Sequence, residues 1–437
     1  MSALVSGLVG IACLLSLTAV GVPVGIAIAA VGIVGMATTG GLDFMLATLT
    51  TLPYQTTSHY NFVVIPMFVL MGSIASSAGI VSEVYAAAYR WTAGIRGGLF
   101  TATTLASAGF AAVSGSTVVN AAVFTRIALP EMIKFGYDRG VGGGCIAAAG
   151  TFAALIPPSL SFVIYGILTG ESIGRLLMAG VLPGLLTVAG YLVVIPVMVR
   201  LRPHWAPPPV ERFSFGEKLA SLRGVWPMML LITLVLGGIY GGFMPPSAAG
   251  AVGAAGALVI AFAKRKLPFG TLTSSLRETA LLTGSLFIII IGGLIFTRFL
   301  TISGFIAAAN AFVVAADFTP LQFMIALTVF YFILGMFIDP ISMLAMTIPF
   351  IYPIAMTLGL DAIWLGVITV KMIEIAVITP PVGINLFAVV AASDGKLRTS
   401  EVFRGILPFV VIELFILVLL IAFPAVSTWL PTTMTGR

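Results

Sequence analysis

Charge is scarce in this sequence. Lys, Arg, Asp and Glu make up 8% of its 437 residues, against roughly 25% in a soluble domain. That excludes a soluble globular protein. A mean hydropathy of +1.16 and repeated apolar runs of spanning length read instead as an all-α polytopic membrane protein embedded in a lipid bilayer. Cysteine is limited to Cys13 and Cys145, both in apolar segments, so neither a disulfide nor a thiolate metal site is expected. Histidine is limited to His59, at a membrane edge, and His204, in a polar stretch. Neither an H-E-x-x-H metalloprotease nor a serine–histidine intramembrane protease can be built from them. No G-x-x-x-x-G-K-[ST] loop is present, and the glycines from Gly140 to Gly144 are followed by Cys145 rather than lysine. ATP-driven work and enzyme chemistry are therefore not expected. The net charge of +6 resides in loops, where it sets membrane orientation; it does not indicate nucleic-acid binding. Met1 is followed by no basic segment, so the first apolar run reads as a membrane helix rather than a cleaved signal peptide.

What the sequence does have is 48 glycines and 25 prolines. Several fall where a spanning helix should not be interrupted. Residues 98–135 are apolar at both ends and broken at Ser114-Gly115-Ser116-Thr117, too long for one span and too interrupted for two. A re-entrant helical hairpin fits; a small-residue packing stripe is the plainer reading. Residues 141–169 form a span broken at Pro157-Pro158, where two amide donors are lost and the carbonyls of Ala153, Leu155 and Ile156 are expected to be freed. A simple kink is the alternative. Residues 320–358 are interrupted from Gly335 through Met336 to Pro340, and Pro380-Pro381 separate 362–378 from 382–393. Non-helical backbone at membrane depth is tolerated where it is buried in protein or lines a wet cavity, and broken helices are where transporters place substrates and ions.

The two halves are related by position. Pro246 and Pro23, Pro353 and Pro130, Gly359 and Gly136, Asp361 and Asp138, and Pro380 and Pro157 are each 223 apart. An internal repeat is the better reading than chance. It divides the chain into residues 1–200, a polar, proline-rich linker at 201–223, and residues 224–437. The first hairpin is flanked by Arg90, Arg96, Lys134 and Arg139, the second by Asp317 and Asp361. By the positive-inside rule the first hairpin opens to the cytoplasm and the second to the outside. Two inverted repeats result, each with a hairpin and a broken helix. Near the amino terminus, 4–20 and 22–38 read either as two short spans or as one broken span around Gly21-Val22-Pro23.

Charged residues inside apolar segments are functional candidates. Lys371 and Glu374 are three apart on a helix and can pair, as a structural pair or a coupling site. Arg126 could bind a carboxylate or pair with Glu131 or Glu374; it lies about 13 Å along a helix from Thr117, which favours structure. Asp339 is placed to ligate a cation or to cap the helix that follows. Neutral hydroxyls and freed carbonyls at the breaks suit a hard cation.

The runs Gly109-Phe110-Ala111-Ala112-Val113-Ser114-Gly115-Ser116-Thr117, Ala128-Leu129-Pro130-Glu131-Met132, Gly150-Thr151 with Ile156-Pro157-Pro158-Ser159, and Ile378-Thr379-Pro380-Pro381-Val382-Gly383-Ile384-Asn385 resemble those of the large membrane subunit of tripartite ATP-independent periplasmic (TRAP) transporters. The resemblance runs over essentially the whole chain. It implies a sodium-driven elevator-type importer in the bacterial inner (cytoplasmic) membrane, with sodium as coupling ion and no other cofactor. It also implies two partners, a small four-helix membrane subunit and a periplasmic substrate-binding protein that delivers a small organic anion such as a carboxylate. The sodium sites it implies fall on Ser114, Thr117, Ala153, Ile156, Pro158, Gly335 and Thr379. Thr117 stands where the family often has serine, and Ala153 where it often has glycine; both keep an oxygen ligand. Ser116, Asn120, Ser159 and Asn385 then fall to the anionic substrate. No four-helix segment precedes residue 4, so the small subunit is expected to be a separate chain. A stand-alone sodium/carboxylate symporter of related architecture, needing no binding protein, is the closest rival.

Overall fold

The computed structural model describes residues 3–209, 211–335 and 337–435, and among them every regular element is helical. In the first half α1 (Ala3–Ala19) and α2 (Val24–Thr39) are separate helices packed on each other, which decides for two short helices over one broken span. They are followed by α3 (Leu42–Ser58), a short 3-10 turn, and α4 (Val64–Ser77). Next come α5 (Ile80–Thr92), α6 (Gly98–Ser114), α7 (Thr117–Lys134), α8 (Arg139–Gly150), α9 (Phe152–Leu155), α10 (Leu160–Thr169) and α11 (Ile173–Leu201).

The linker carries the short helix α12 (Phe215–Ser221), whose start is closed by a capping box between Ser214 and Glu217. It is held against α5 by hydrogen bonds from the Tyr89 hydroxyl to Glu211 (2.8 Å) and from the Trp91 indole to the Lys218 carbonyl (3.1 Å).

The second half holds α13 (Trp226–Tyr240), α14 (Pro246–Ala263), α15 (Phe269–Ile302), α16 (Phe305–Ala315), α17 (Pro320–Gly335) and α18 (Pro340–Thr357). It ends with α19 (Ala362–Ala376), α20 (Ile384–Ala392), α21 (Thr399–Ala422) and α22 (Ala425–Thr435). Among the described residues six helical segments have the length and composition to cross a membrane, and two bent pairs raise this to eight. One bent pair is the helix interrupted before Leu160, which turns by 41°.

Element order recurs down the chain. α7 spans 117 to 134 and α18 spans 340 to 357, each bound 223 later, and α8 and α19 begin at 139 and 362. The starts have the same chemistry. Asp138 accepts the Val141 amide at 2.8 Å and Asp361 the Trp364 amide at 2.7 Å, each closing exposed donors in a helix's first turn. Both Pro157-Pro158 and Pro380-Pro381 contain a cis peptide bond. The recurrence is interrupted where α3, the 3-10 turn and α4 correspond to the single 34-residue helix α15, and where α8 and α9 correspond to the single helix α19.

Two helix groups result. α2, α4, α14 and α15 pack together, α15 along α2 and α4, and α14 along α4. The hairpins α6–α7 and α17–α18, with the interrupted helices, form the second group. Here the halves interlock. α7 lies against α20, and α18 against α10, so the second arm of each hairpin rests on the other half's helix beyond its double proline. The groups meet where α4 touches α6 and where α15 touches α18.

Candidate functional site

The first hairpin turns at Gly115, in the left-handed region at φ 62°, a conformation glycine adopts without a steric penalty. Its tip sits on the first double proline: a β-carbon on Gly115 would stand 2.7 Å from the Pro158 carbonyl oxygen. Ser116 begins α7 as its cap, accepting the Val119 amide at 3.5 Å. Ser114 is 3% exposed and its hydroxyl has no hydrogen-bond partner. A buried, unsatisfied oxygen is uncommon and calls for an explanation such as a bound ion. Thr117 is buried beside it in the first turn of α7.

At the first double proline, Pro157 and Pro158 lack the amides that would reach back to Ala153 and Ala154. The Ala154 carbonyl is taken up by the Ser159 hydroxyl. Ala153 keeps no helical donor, because the Ile156 amide goes to Phe152. At the second double proline the carbonyls are closed by backbone: Ala376 accepts the Thr379 amide and Val377 the Asn385 amide, both at 3.1 Å. The Thr379 hydroxyl donates to Ile375 at 2.6 Å, leaving its lone pairs facing outward from that bond. Gly335, at the end of α17, packs directly on Ala376. Met336 of the second tip lies outside the described residues. Asp339 caps α18, accepting the Ile341 and Ser342 amides at 3.1 Å each.

Four expectations from the sequence change. Asn120 is fully buried and occupied: it accepts from the Ser107 hydroxyl at 3.1 Å and donates to the Ser107 carbonyl at 3.3 Å, while Ser107 also donates to Ala149. With Ser107 it braces α6 against α7 and α8. Ser159 is likewise fully buried, donating to Ala154 and accepting the Phe162 amide; its donor is not free for an anion. Arg126 is exposed and pairs with neither expected acid, since Glu131 meets Lys134 and Glu374 meets Lys371. Asn385 is fully buried, its amide nitrogen 3.5 Å from the Ala147 carbonyl and its oxygen unpartnered.

The expected pair of Lys371 and Glu374 forms at 3.1 Å, but it is part of a larger cluster. Lys371 also forms an ion pair with Glu413 of α21 and donates to Thr187 of α11 at 3.2 Å. Tyr191 donates to Glu413 at 2.7 Å. The three charged side chains are at most 1% exposed. Glu413 was missed in the sequence, although a lone acid in the apolar run 405–430 is the same signal that singled out Lys371.

A cavity of about 680 Å³ opens between the two helix groups. It is lined by Gln55, His59 and Asn61 near the α3–α4 bend, Glu171 and Ser172 before α11, and Thr297 and Arg298 of α15. Glu171 accepts the Tyr352 hydroxyl of α18 at 2.8 Å. Arg298 also escaped the sequence reading, because it stands one residue past the span expected at 279–297. A second, small cavity of about 80 Å³ lies at the first tip. α10 borders both: Leu160 lines the small one and Gly166 the one of about 680 Å³, about 9 Å apart at helical rise. A larger cavity of about 900 Å³ between α1, α2 and α15 carries no charged residue and touches neither tip.

Paired hairpins set against interrupted helices, with buried oxygens at the turns and cavities between two helix groups, define a polytopic membrane transporter. The comparisons with known proteins specify which kind. Residues 11–426 match the family described as the tripartite ATP-independent periplasmic transporter, DctM component, and the chain belongs to that family. It is similar to a C4-dicarboxylate TRAP transporter large permease protein, DctM, of Pseudomonas aeruginosa, with 36% identity over 86% of this chain and 88% of that protein. It is also similar to the ectoine TRAP transporter large permease protein TeaC of Halomonas elongata, with 28% identity over 96% of this chain and 97% of that one. Among solved structures it shares its fold with the Alcanivorax borkumensis YdaH transporter, at a TM-score of 0.61 and 14% identity over 90% of both chains. These relatives are named transport permeases and transporters, in keeping with a non-enzymatic role. Membership of the family implies a small membrane subunit and a periplasmic binding protein as partners.

Proposed function

We propose that the chain is the ion-coupled transport subunit of a tripartite importer in the bacterial inner membrane. It would take a small organic anion of the carboxylate class from a periplasmic binding protein and move it with sodium. The observation that carries this reading is the unpartnered Ser114 hydroxyl, buried at a tip that rests on the Pro158 carbonyl. With Thr117 and the Ala153 carbonyl nearby in the fold, the tip offers neutral oxygens of the kind a sodium ion uses in place of water. Thr379, just before the second double proline, offers a hydroxyl in the second half.

Arg298 supplies the cationic group of the cavity of about 680 Å³ between the helix groups, and its guanidinium suits a carboxylate. Ser116 lines the small cavity at the first tip, whereas Asn120 and Ser159 act as braces. The halves are read as inverted in the membrane, the first hairpin opening inward and the second outward. The group of hairpins and broken helices is read as the moving body and α2, α4, α14 and α15 as its support.

The test is uptake in proteoliposomes containing the chain with its small subunit, plus the binding protein. A sodium gradient should drive uptake. Ser114→Ala and Thr379→Ala should each raise the half-saturating sodium concentration about tenfold, the loss of one contact to a charged group at about 1.5 kcal/mol. Uptake driven by protons alone in sodium-free buffer would overturn the coupling, and uptake by the chain without partners would favour a stand-alone symporter.

A further inference from the structure

The small cavity at the first tip is bounded on its far side by the other helix group. Ser114 and Ser116 of the tip face Ser73 of α4 and Glu278 of α15 across it. The Ser73 hydroxyl donates to the Glu278 carboxylate at 2.6 Å. The acid is thereby held toward the tip, yet it forms no ion pair among the described residues. Contact between the groups is close, since a β-carbon on Gly72 would stand 2.9 Å from the Ser114 Cα.

We propose that Glu278 and Ser73, with Ser114 and Ser116, form a monovalent-cation site at the boundary between the supporting helices and the first hairpin. The proposal rests on the reading of Ser114 as a cation ligand and adds a carboxylate from outside the hairpin group. The ligand class follows from the donors. Divalent ions are usually held by several carboxylates, whereas this site has one carboxylate and neutral hydroxyls. A cavity of about 80 Å³ is well above the size needed for a single water and has room for a hydrated monovalent cation. Glu278 is exposed at the edge of this cavity. The buried Ser114 oxygen, without a partner in the protein, supplies the inner ligand.

The site's ligands come from both sides of a boundary. It is complete only while the tip lies against α4 and α15, and it comes apart when the hairpin group moves away. A cation here stabilises this arrangement of the two groups and lies on the route by which a coupling ion reaches or leaves the tip.

Binding of radioactive sodium to the full chain purified in detergent tests the proposal. Wild-type protein should show a class of sites that Glu278→Gln and Ser73→Ala each weaken at least about tenfold. Thr379→Ala should weaken a different class and leave that one in place. If wild-type protein binds sodium and both the Glu278→Gln and Ser73→Ala isotherms superimpose on it, Glu278 only anchors α15 to α4, and the boundary site is refuted while the tip reading stands. If wild-type protein binds no sodium, both readings fall.

Discussion

The double prolines at 157–158 and 380–381 remove the same two helical amides, and the two halves make good the loss by different means. In the first half the orphaned carbonyls belong to Ala153 and Ala154; in the second, to Ala376 and Val377, each 223 residues on. The second pair is closed by the Thr379 and Asn385 amides. The first is closed in part by a side chain, Ser159, which reaches Ala154 and leaves Ala153 without a helical donor. Each unpaired buried polar group costs several kcal/mol in a membrane. The first half therefore retains an open carbonyl at its double proline, whereas the second half's carbonyls are closed by backbone; unpartnered buried hydroxyls occur in both halves, at Ser114 and at Ser342. Equivalent positions in a repeat need not be equivalent sites.

The same contrast recurs where helices cross. α8 meets α21 backbone to backbone: a β-carbon on Gly405 would collide with the Gly140 carbonyl, and one on Gly144 would meet the Gly405 backbone. α19, the helix corresponding to α8, meets α11 and α21 through the Lys371, Glu374 and Glu413 cluster. One crossing depends on the absence of side chains and the other on charges that must remain paired.

The largest expected effect separates these crossings. Lys371→Ala leaves two carboxylates facing each other in a dry site and should destabilise the protein by about 3–5 kcal/mol. Gly405→Ala overpacks the other crossing and should cost about 1–3 kcal/mol. Thermal unfolding of the purified variants measures both, and equal losses would erase the distinction. Replacing Lys371 by Met with both acids as Gln should restore most of the loss if the cluster is a structural tie.

Next in size is the test of the double prolines. Ser159→Ala should lower stability by about 1–3 kcal/mol, because the Ala154 carbonyl is left buried and unpaired. Asn385→Ala should cost about 1 kcal/mol or less, since its backbone amide still closes Val377. Reversal of that order in unfolding measurements would show that the second half also relies on side chains.

The smallest effect distinguishes the tips. Asp339→Ala removes a carboxylate accepting two amides and should cost about 1 kcal/mol. Ser116→Ala removes a single contact at 3.5 Å and should cost about 0.5 kcal/mol. Comparing the two midpoints, a greater loss at Ser116 would mean that its hydroxyl has a role beyond capping.

Much of this architecture was legible. The bounds of both hairpins follow from segment length and from residues that end helices, and α7 and α18 fall within the expected 98–135 and 320–358. The pairing of Lys371 with Glu374 follows from helical spacing. Glu413 was equally visible as an acid in an apolar run, but its partner is 42 residues away, from 413 to 371, and no local spacing indicates it. The hydrogen bonds of Asn120 and Ser159 were hidden for a related reason. A polar side chain in an apolar segment looks the same in sequence whether it faces a cavity or bonds to the carbonyl of a neighbouring helix.

By itself the sequence determined the class of protein, the place of the four main interruptions, and the pairs of residues 223 apart. Composition and the prohibition on unpaired backbone in a membrane act locally along the chain. Only the tertiary structure decided which oxygens stay open. That depends on how each helix is rotated and which neighbour it meets: Ser159 turns toward Ala154, Asn120 toward Ser107, and Glu278 toward Ser73 and the tip. Ser114, with no neighbour to bond its hydroxyl, is left open for a ligand.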